Sequence, residues 1–212
     1  MYYLKLEKIN IVFTTKKDGN MRNTYLRREL SQRFGFQDIY IPKQKHTDIV
    51  VSLDRIDVPA DGLYTDKKML PIGVLTADCM AVVMSDMRAL SVFHAGWRGL
   101  LSGIVEKSLA NFPDKKNLTV FISPNARKCC YEVKEDFVKY TEKLGVSNKY
   151  FTFRDGRIYF SMNDLLIDKL RNYGIEKIID VSLCTICDYE FFSYRRGDFE
   201  NRILTFSWLS ED

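Results

Sequence analysis

No run of this 212-residue sequence approaches the ~20 consecutive apolar residues of a membrane span, and its first ten residues carry charges where a signal peptide has its apolar region. Membrane insertion and secretion are not expected; a cytoplasmic location is. The chain also lacks any basic run longer than two residues, and 32 Lys and Arg against 28 Asp and Glu leave a net charge of only +4. A nucleic-acid partner is therefore not expected. Neither a Gly-x4-Gly-Lys-Ser/Thr loop nor a Gly-x-Gly-x-x-Gly turn occurs, which removes the usual ATP and dinucleotide cradles. Repeats, low-complexity tracts and Pro/Gly/Ser linkers are absent, and the five prolines are scattered, so a single domain over residues 1–212 is expected.

What is present is the composition of a globular protein, 46% hydrophobic and 28% charged. A chain of this length buries roughly 70% of its unfolded surface and needs no covalent staples. Five cysteines, an odd number with Cys129 and Cys130 adjacent, fit free thiols in a reducing compartment better than a disulfide framework.

Hydrophobic patterning gives a succession of short elements. Residues 2–14 read as β, followed by a helix that Thr24 can cap, with Leu26, Leu30 and Phe34 on one face and Gly35 at its end. Short apolar runs at 48–53, 70–76, 80–84 and 89–93 read as strands, the last two forming a hairpin across Ser85-Asp-Met-Arg88. A Gly-rich turn then leads into a helix whose Leu101, Ile104, Val105, Leu109 and Phe112 share a face before Pro113 stops it. Downstream the pattern predicts a strand at 118–122, a helix over 132–144, a hairpin at 149–160 turned by Asp155-Gly156, a helix over 163–173, and strands at 178–183 and 202–208. Hairpins mixed with helices predict an α+β (mixed α/β) fold of layered mixed sheets flanked by helices, not a doubly wound parallel sheet.

The chain has two histidines, and each falls at a predicted strand end: His46 in Gln44-Lys-His-Thr47 and His94 in His94-Ala-Gly-Trp-Arg-Gly99. Cys79 ends Leu75-Thr-Ala-Asp-Cys79 between them. A thiolate and two neutral imidazoles suit Zn²⁺ and leave a fourth tetrahedral position open, as catalytic sites do. A lone His or Cys in a mostly apolar segment is more often a packed core residue than a ligand, and spacings of 33 and 15 match no local metal motif. Gly96-Trp-Arg-Gly99 is either an anion-binding helix start assisted by Arg98 or a tight turn that needs small residues. Phe191-Phe-Ser-Tyr-Arg-Arg196 can stack a base and bind phosphate, or form a solvated β edge. Asp61 and Asp78 are candidates for proton transfer or for orienting a metal-bound histidine, and each also suits a turn or cap. Cys184-x-x-Cys187 is read as free thiols, with a four-cysteine zinc site completed by Cys129 and Cys130, or a redox pair, as the alternatives.

Taken together, Gln44-Lys-His46, Ala60-Asp-Gly-Leu-Tyr-Thr65, Thr76-Ala-Asp-Cys79, His94-Ala-Gly-Trp-Arg-Gly99, Cys130-Tyr-Glu-Val133, Cys184-Thr185 and Phe192-Ser-Tyr-Arg-Arg196 occur in the order seen in the laccase-domain family. That family is also called multicopper polyphenol oxidase or laccase-domain purine nucleoside phosphorylase, and the sequence resembles it from about residue 40 to the end. The resemblance implies a zinc held by His46, Cys79 and His94, and phosphorolysis of adenosine, inosine, guanosine or methylthioadenosine, with adenosine deamination as a further activity. Two segments depart from the family pattern. Gly-Pro-Ser-Ile-Gly reads Ser123-Pro-Asn-Ala-Arg127, and the N-terminal Gly-Val-Ser stretch reads Gly19-Asn-Met-Arg22.

Two histidines cannot supply the imidazoles that several copper ions require, so multicopper chemistry is excluded by count. Copper at the three-ligand site would reflect its higher place in the affinity series. The expected enzyme binds a purine nucleoside and phosphate, with Asp78 or Asp61 handling protons or orienting the site. Arg98, Arg195 and Arg196 would neutralise phosphate, and Gln44 and Tyr194 would complete the substrate contacts. Three rivals are a Cys/His hydrolase with Cys79 as nucleophile, a polyphenol oxidase-type copper oxidoreductase, and a non-enzymatic metal-stabilised interaction module.

Overall fold

The computed structural model describes residues 1–211 and has the α+β class expected from the pattern. In chain order the elements are β1 (Tyr2–Leu6), β2 (Ile9–Phe13), α1 (Thr24–Arg33), β3 (Val50–Ser52), β4 (Gly62–Thr65), β5 (Ile72–Thr76), β6 (Met80–Ser85) and β7 (Leu90–Ala95). They continue with α2 (Trp97–Ser102), α3 (Ile104–Leu109), β8 (Thr119–Ile122), β9 (Glu132–Val133), α4 (Glu135–Lys143), β10 (Phe151–Arg154), β11 (Arg157–Phe160), α5 (Met162–Asn172), β12 (Lys177–Asp180) and β13 (Ile203–Leu209). No helix among the described residues is long and apolar enough to cross a membrane.

Three sheets result. A six-stranded mixed sheet runs β12-β8-β6-β7-β4-β3, with β12/β8 and β3/β4 parallel and the rest antiparallel. A four-stranded antiparallel sheet runs β1-β2-β13-β5, and β10-β11-β9 form a small third sheet. The two larger sheets pack face to face through Ile9, Ile11, Phe13, Ile72 and Val74 on one side and Ala81, Val83, Val92 and Phe121 on the other. The opposite face of the larger sheet, with Val82, Met84 and Phe93, is covered by Leu100, Ile104, Val105, Leu109, Leu166 and Leu170 of the helices. The outer face of the smaller sheet meets Leu30 of α1 through Val12, Leu204, Phe206 and Trp208. The layers are therefore helix, sheet, sheet, helix, and strands buried on both faces explain why β6 and β7 read as unbroken apolar runs.

Several local expectations are sharpened or corrected. Residues 2–14 are β as expected, folded into a hairpin because Glu7 takes the left-handed conformation (φ 56°) in a two-residue turn that carries no Gly, Pro, Asn or Asp. The cap of α1 is Asn23, whose side chain accepts from the Tyr25 amide, one residue before Thr24. The expected helix after His94 is broken at Gly103 (φ 105°) into α2 and α3, which keeps Leu100, Ile104 and Leu109 all in the core. Strand β4 follows Asp61, a residue that also suits a turn or cap. Gly62 is needed for close approach, since a Cβ there would stand 2.8 Å from the Phe93 side chain.

Candidate metal centre and its cavity

Three chain segments end at one place. Strand β7 ends in His94-Ala95, Cys79 precedes β6, and these two strands pair in register at Ala81–His94 and Met80–Ala95. The antiparallel register thus brings Cys79 beside His94. His46 comes from the loop before β3 in a left-handed conformation (φ 59°), and its ring lies edge-on to that of His94 at 4.8 Å between centroids. The ligand atoms of His46, Cys79 and His94 all lie within 4.8 Å of one another.

One buried carboxylate arranges two of the three. Asp61 Oδ2 accepts from the Lys45 amide (3.0 Å), the Thr47 amide (2.6 Å) and the Thr47 hydroxyl (2.8 Å), clamping the loop on both sides of His46. Its Oδ1 accepts from His94 Nδ1 at 2.7 Å, which leaves Nε2 of that ring free to bind a metal. Burial alone would raise the Asp61 pKa; the His94 ring and the Thr47 and Lys45 amides bring it down to about 2. The third residue is held through its neighbour. Asp78, at φ 84°, accepts from the Thr185 hydroxyl (2.7 Å), the Ser193 hydroxyl (3.0 Å) and the Arg195 amide (2.7 Å). Its own carbonyl accepts from the Ala126 amide.

Without a metal the neighbouring charges favour the thiolate of Cys79 and the protonated ring of His94. Burial opposes charge on Cys79, yet His94 and His46 lower its pKa to about 6. Burial likewise opposes charge on His94, but the Cys79 thiolate and Asp61 raise it to about 9. A divalent ion would take the place of the His94 proton. The donor set fits such an ion, and so does the space, because a Cβ on Gly96 would stand 3.0 Å from Cys79 Sγ and 3.4 Å from His46 Cδ2. Gly96 keeps open the space the three side chains surround. Gly99 allows a second approach, since a Cβ there would lie 2.8 Å from the Thr47 carbonyl. The glycines of His94-Ala-Gly-Trp-Arg-Gly99 therefore serve close packing around the cluster.

The three ligands lie in the wall of a cavity of about 560 Å³, within the range of small-molecule sites. Arg22, Arg98, Arg195 and Arg202 line it, against the single carboxylate of Asp78, whose oxygens are already bonded. Burial and the neighbouring Arg22 lower the pKa of Arg202, so an anion there relieves both. Tyr131, Trp97, Tyr194 and Met162 add apolar and aromatic surface. Burial pushes the Tyr131 phenol up to about 12, and the Arg195 guanidinium lies over its ring at 4.5 Å.

The residues singled out from sequence divide clearly. His46, Cys79, His94, Asp78, Arg98, Arg195, Tyr194 and Gln44 all line the cavity. Gln44 is also tied to the backbone, its side chain donating to the Leu75 carbonyl (2.9 Å) and accepting from the Leu75 amide (2.8 Å). Asp61 lies behind His94 rather than in the cavity, a placement that supports orientation and not proton transfer. Arg196 is a correction. Its guanidinium donates to the carbonyls of Thr185, Ile186, Asp188 and Phe191 and does not line the cavity. Arg22, Arg202 and Tyr131 were missed as site residues; Arg22 lies in one of the departing segments, and Tyr131 in the Cys-Tyr-Glu-Val motif.

Fold and cluster together define a layered α+β protein with one two-histidine, one-cysteine centre in an arginine-lined cavity. The family model described as "Multi-copper polyphenol oxidoreductase laccase" matches residues 5–210, and the chain belongs to that family. A purine nucleoside phosphorylase of Aquifex aeolicus is 35% identical over 176 residues, covering 81% of this chain and 82% of that protein. A purine nucleoside phosphorylase of Clostridium acetobutylicum is 28% identical over 95% of this chain and 92% of its own length. The crystal structure of a Neisseria meningitidis protein superposes over the whole of both chains with a TM-score of 0.88 at 22% identity, a likeness of fold.

Proposed function

We propose that this protein is a zinc-dependent purine nucleoside phosphorylase, converting a purine nucleoside and phosphate to the free base and ribose 1-phosphate, with adenosine deamination as a second reaction at the same centre. The carrying observation is the His46, Cys79 and His94 cluster in the wall of a cavity that also presents four arginines. The names of the relatives from Aquifex aeolicus and Clostridium acetobutylicum point the same way.

His46, Cys79 and His94 would hold the zinc ion, which when bound would supply Lewis-acid polarisation of a substrate oxygen. The remaining work falls to the chain. Arg22, Arg98, Arg195 and Arg202 bind and orient phosphate, so that one of its oxygens faces the anomeric carbon of the ribose. As that oxygen forms its bond to C1′, the bond from C1′ to purine N9 breaks, and the base leaves with the electron pair and takes up a proton. Tyr131, Tyr194 and Met162 pack against the base and exclude water from the transfer. Asp61 holds His94 in one tautomer, and Asp78 fixes the backbone that carries Cys79.

The test is to incubate zinc-loaded protein with adenosine and with inosine, with and without phosphate, and to separate the products by chromatography. Free base formed only with phosphate is the expected result, and inosine formed from adenosine without phosphate reads out deamination. No turnover of any purine nucleoside by the zinc-loaded protein would overturn the proposal. One observation favours a second reading, a Cys/His hydrolase, because the low pKa of Cys79 beside His94 is that of an activated thiol. A hydrolase of that kind survives a strong chelator and is killed by iodoacetamide; the zinc enzyme loses activity to the chelator and regains it with zinc.

A further inference from the structure

Four sulfurs outside the cavity also converge. The segment after β8 carries Cys129 and Cys130 in a turn closed by the Arg127 carbonyl, which accepts from the Cys130 and Tyr131 amides at 2.9 and 2.8 Å. The segment after β12 carries Cys184 and Cys187 in a turn closed by the Asp188 amide donating to the Cys184 carbonyl. A parallel bridge between Asn125 and Cys184 straps the two turns together, through the Asn125 amide to the Leu183 carbonyl and the Thr185 amide to the Asn125 carbonyl. All four Sγ atoms lie within 4.8 Å of one another, with Cys129 to Cys187 at 3.4 Å and Cys130 to Cys187 at 2.7 Å.

Four sulfurs grouped so closely match the size of a one-metal site. An ion with Zn–S bonds of about 2.3 Å places its four sulfurs about 3.8 Å apart, inside the 4.8 Å within which all four lie here. All four cysteines are free thiols, and the backbone amides of Cys187, Arg127 and Ile186 face the Cys184 sulfur, the donors a thiolate needs. Cys129 and Cys187 are exposed, which gives an ion an entry path, whereas Cys184 is buried. No carboxylate or imidazole belongs to the group, so the donor set is uniformly soft.

We propose that Cys129, Cys130, Cys184 and Cys187 bind one structural zinc ion through four thiolates, a site separate from the His46, Cys79 and His94 cluster. Binding releases the four thiol protons and involves no change of oxidation state. With four protein ligands the ion has no open position, so its work is mechanical. Tyr131 directly follows Cys130 and lines the cavity, and Thr185 directly follows Cys184 and donates to Asp78. The ion thus fastens together two loops that form one wall of the cavity and support the backbone of Cys79.

The experiment is a metal count by plasma mass spectrometry on protein purified under reductant and passed through a weak chelator. The wild type is expected to hold two zinc ions per chain. Cys130→Ser/Cys187→Ser and Cys79→Ala should each hold one, and X-ray absorption of Cys79→Ala should show four sulfur neighbours at about 2.3 Å. Zinc-free Cys79→Ala protein, or a double cysteine variant with wild-type zinc content, would overturn the proposal. So would a mass deficit of two hydrogens from a disulfide in the reduced preparation. Because the absorption measurement uses Cys79→Ala, it stands even if the double variant does not fold, and it is independent of whether any nucleoside is turned over.

Discussion

The two cysteine-bearing clusters differ in what holds them. His46, Cys79 and His94 sit where strands of the larger sheet end, and each is fixed by a carboxylate behind it: Asp61 for the two histidines, Asp78 for the backbone at Cys79. Cys129, Cys130, Cys184 and Cys187 rest on loop turns with no carboxylate among them. The first arrangement is organised before any ion arrives, which suits a group that must present an open position in a fixed direction. The second brings together thiols that gain little from one another until an ion joins them, which suits a fastening.

The comparison is broken most severely at Cys79. Cys79→Ala is expected to lower kcat/KM for phosphorolysis by roughly 10³-fold or more, the several kcal/mol of a lost Lewis acid, while circular dichroism stays unchanged. A variant that keeps a tenth of wild-type activity would remove the cluster from the chemistry. Asp61→Asn tests the positioning argument. It should weaken zinc binding at the histidine–cysteine cluster about 10- to 100-fold in a competition titration and leave the four-thiolate content untouched.

Protons provide the next test. Metal binding needs the thiolate and the neutral imidazole, and in the metal-free protein Cys79 titrates at about 6 and His94 at about 9. Between those values His94 holds the one proton of the pair that must leave, so zinc affinity should rise about tenfold per pH unit from 6 to 9, and more steeply below 6. A flat profile between pH 7 and 8 would show that His94 is already neutral. The smallest effect is expected at the cavity wall, where Arg202→Gln should raise the phosphate KM about five- to tenfold with a modest change in kcat. The same substitution should leave both metal contents at the wild-type level.

Much of the architecture was legible because strands buried on both faces announce themselves as apolar runs, as β6, β7, β8 and β13 do. The turn at Glu7-Lys8 was not, since no turn-forming residue stands at its positive φ, and the break at Gly103 was masked by the continuous apolar face that spans it. His46, Cys79 and His94 were named through a family resemblance; spacing alone could not bring together residues 33 and 15 positions apart. Arg196 was misjudged because adjacency to Arg195 says nothing of direction. One guanidinium lies over Tyr131 in the cavity wall, while its neighbour satisfies four carbonyls of the loop that leads to it. Arg22 and Arg202 stand 180 residues apart, and their segments meet where the Met21 amide donates to the Arg202 carbonyl beside β13.

That sheet also imposes an order on biosynthesis. Strand β13 lies between β2 and β5, pairing Phe206 with Val12 on one side and with Gly73 on the other. Residues 203–209 must therefore emerge before β2, already paired with β1, gains its second neighbour and before β5 joins the sheet, and until then those two edges are open to strands of other chains. Arg202 enters the cavity at the same late moment. The cavity wall is complete only when β13 has joined β2 to β5, so any delay in that step prolongs the exposure of both edges.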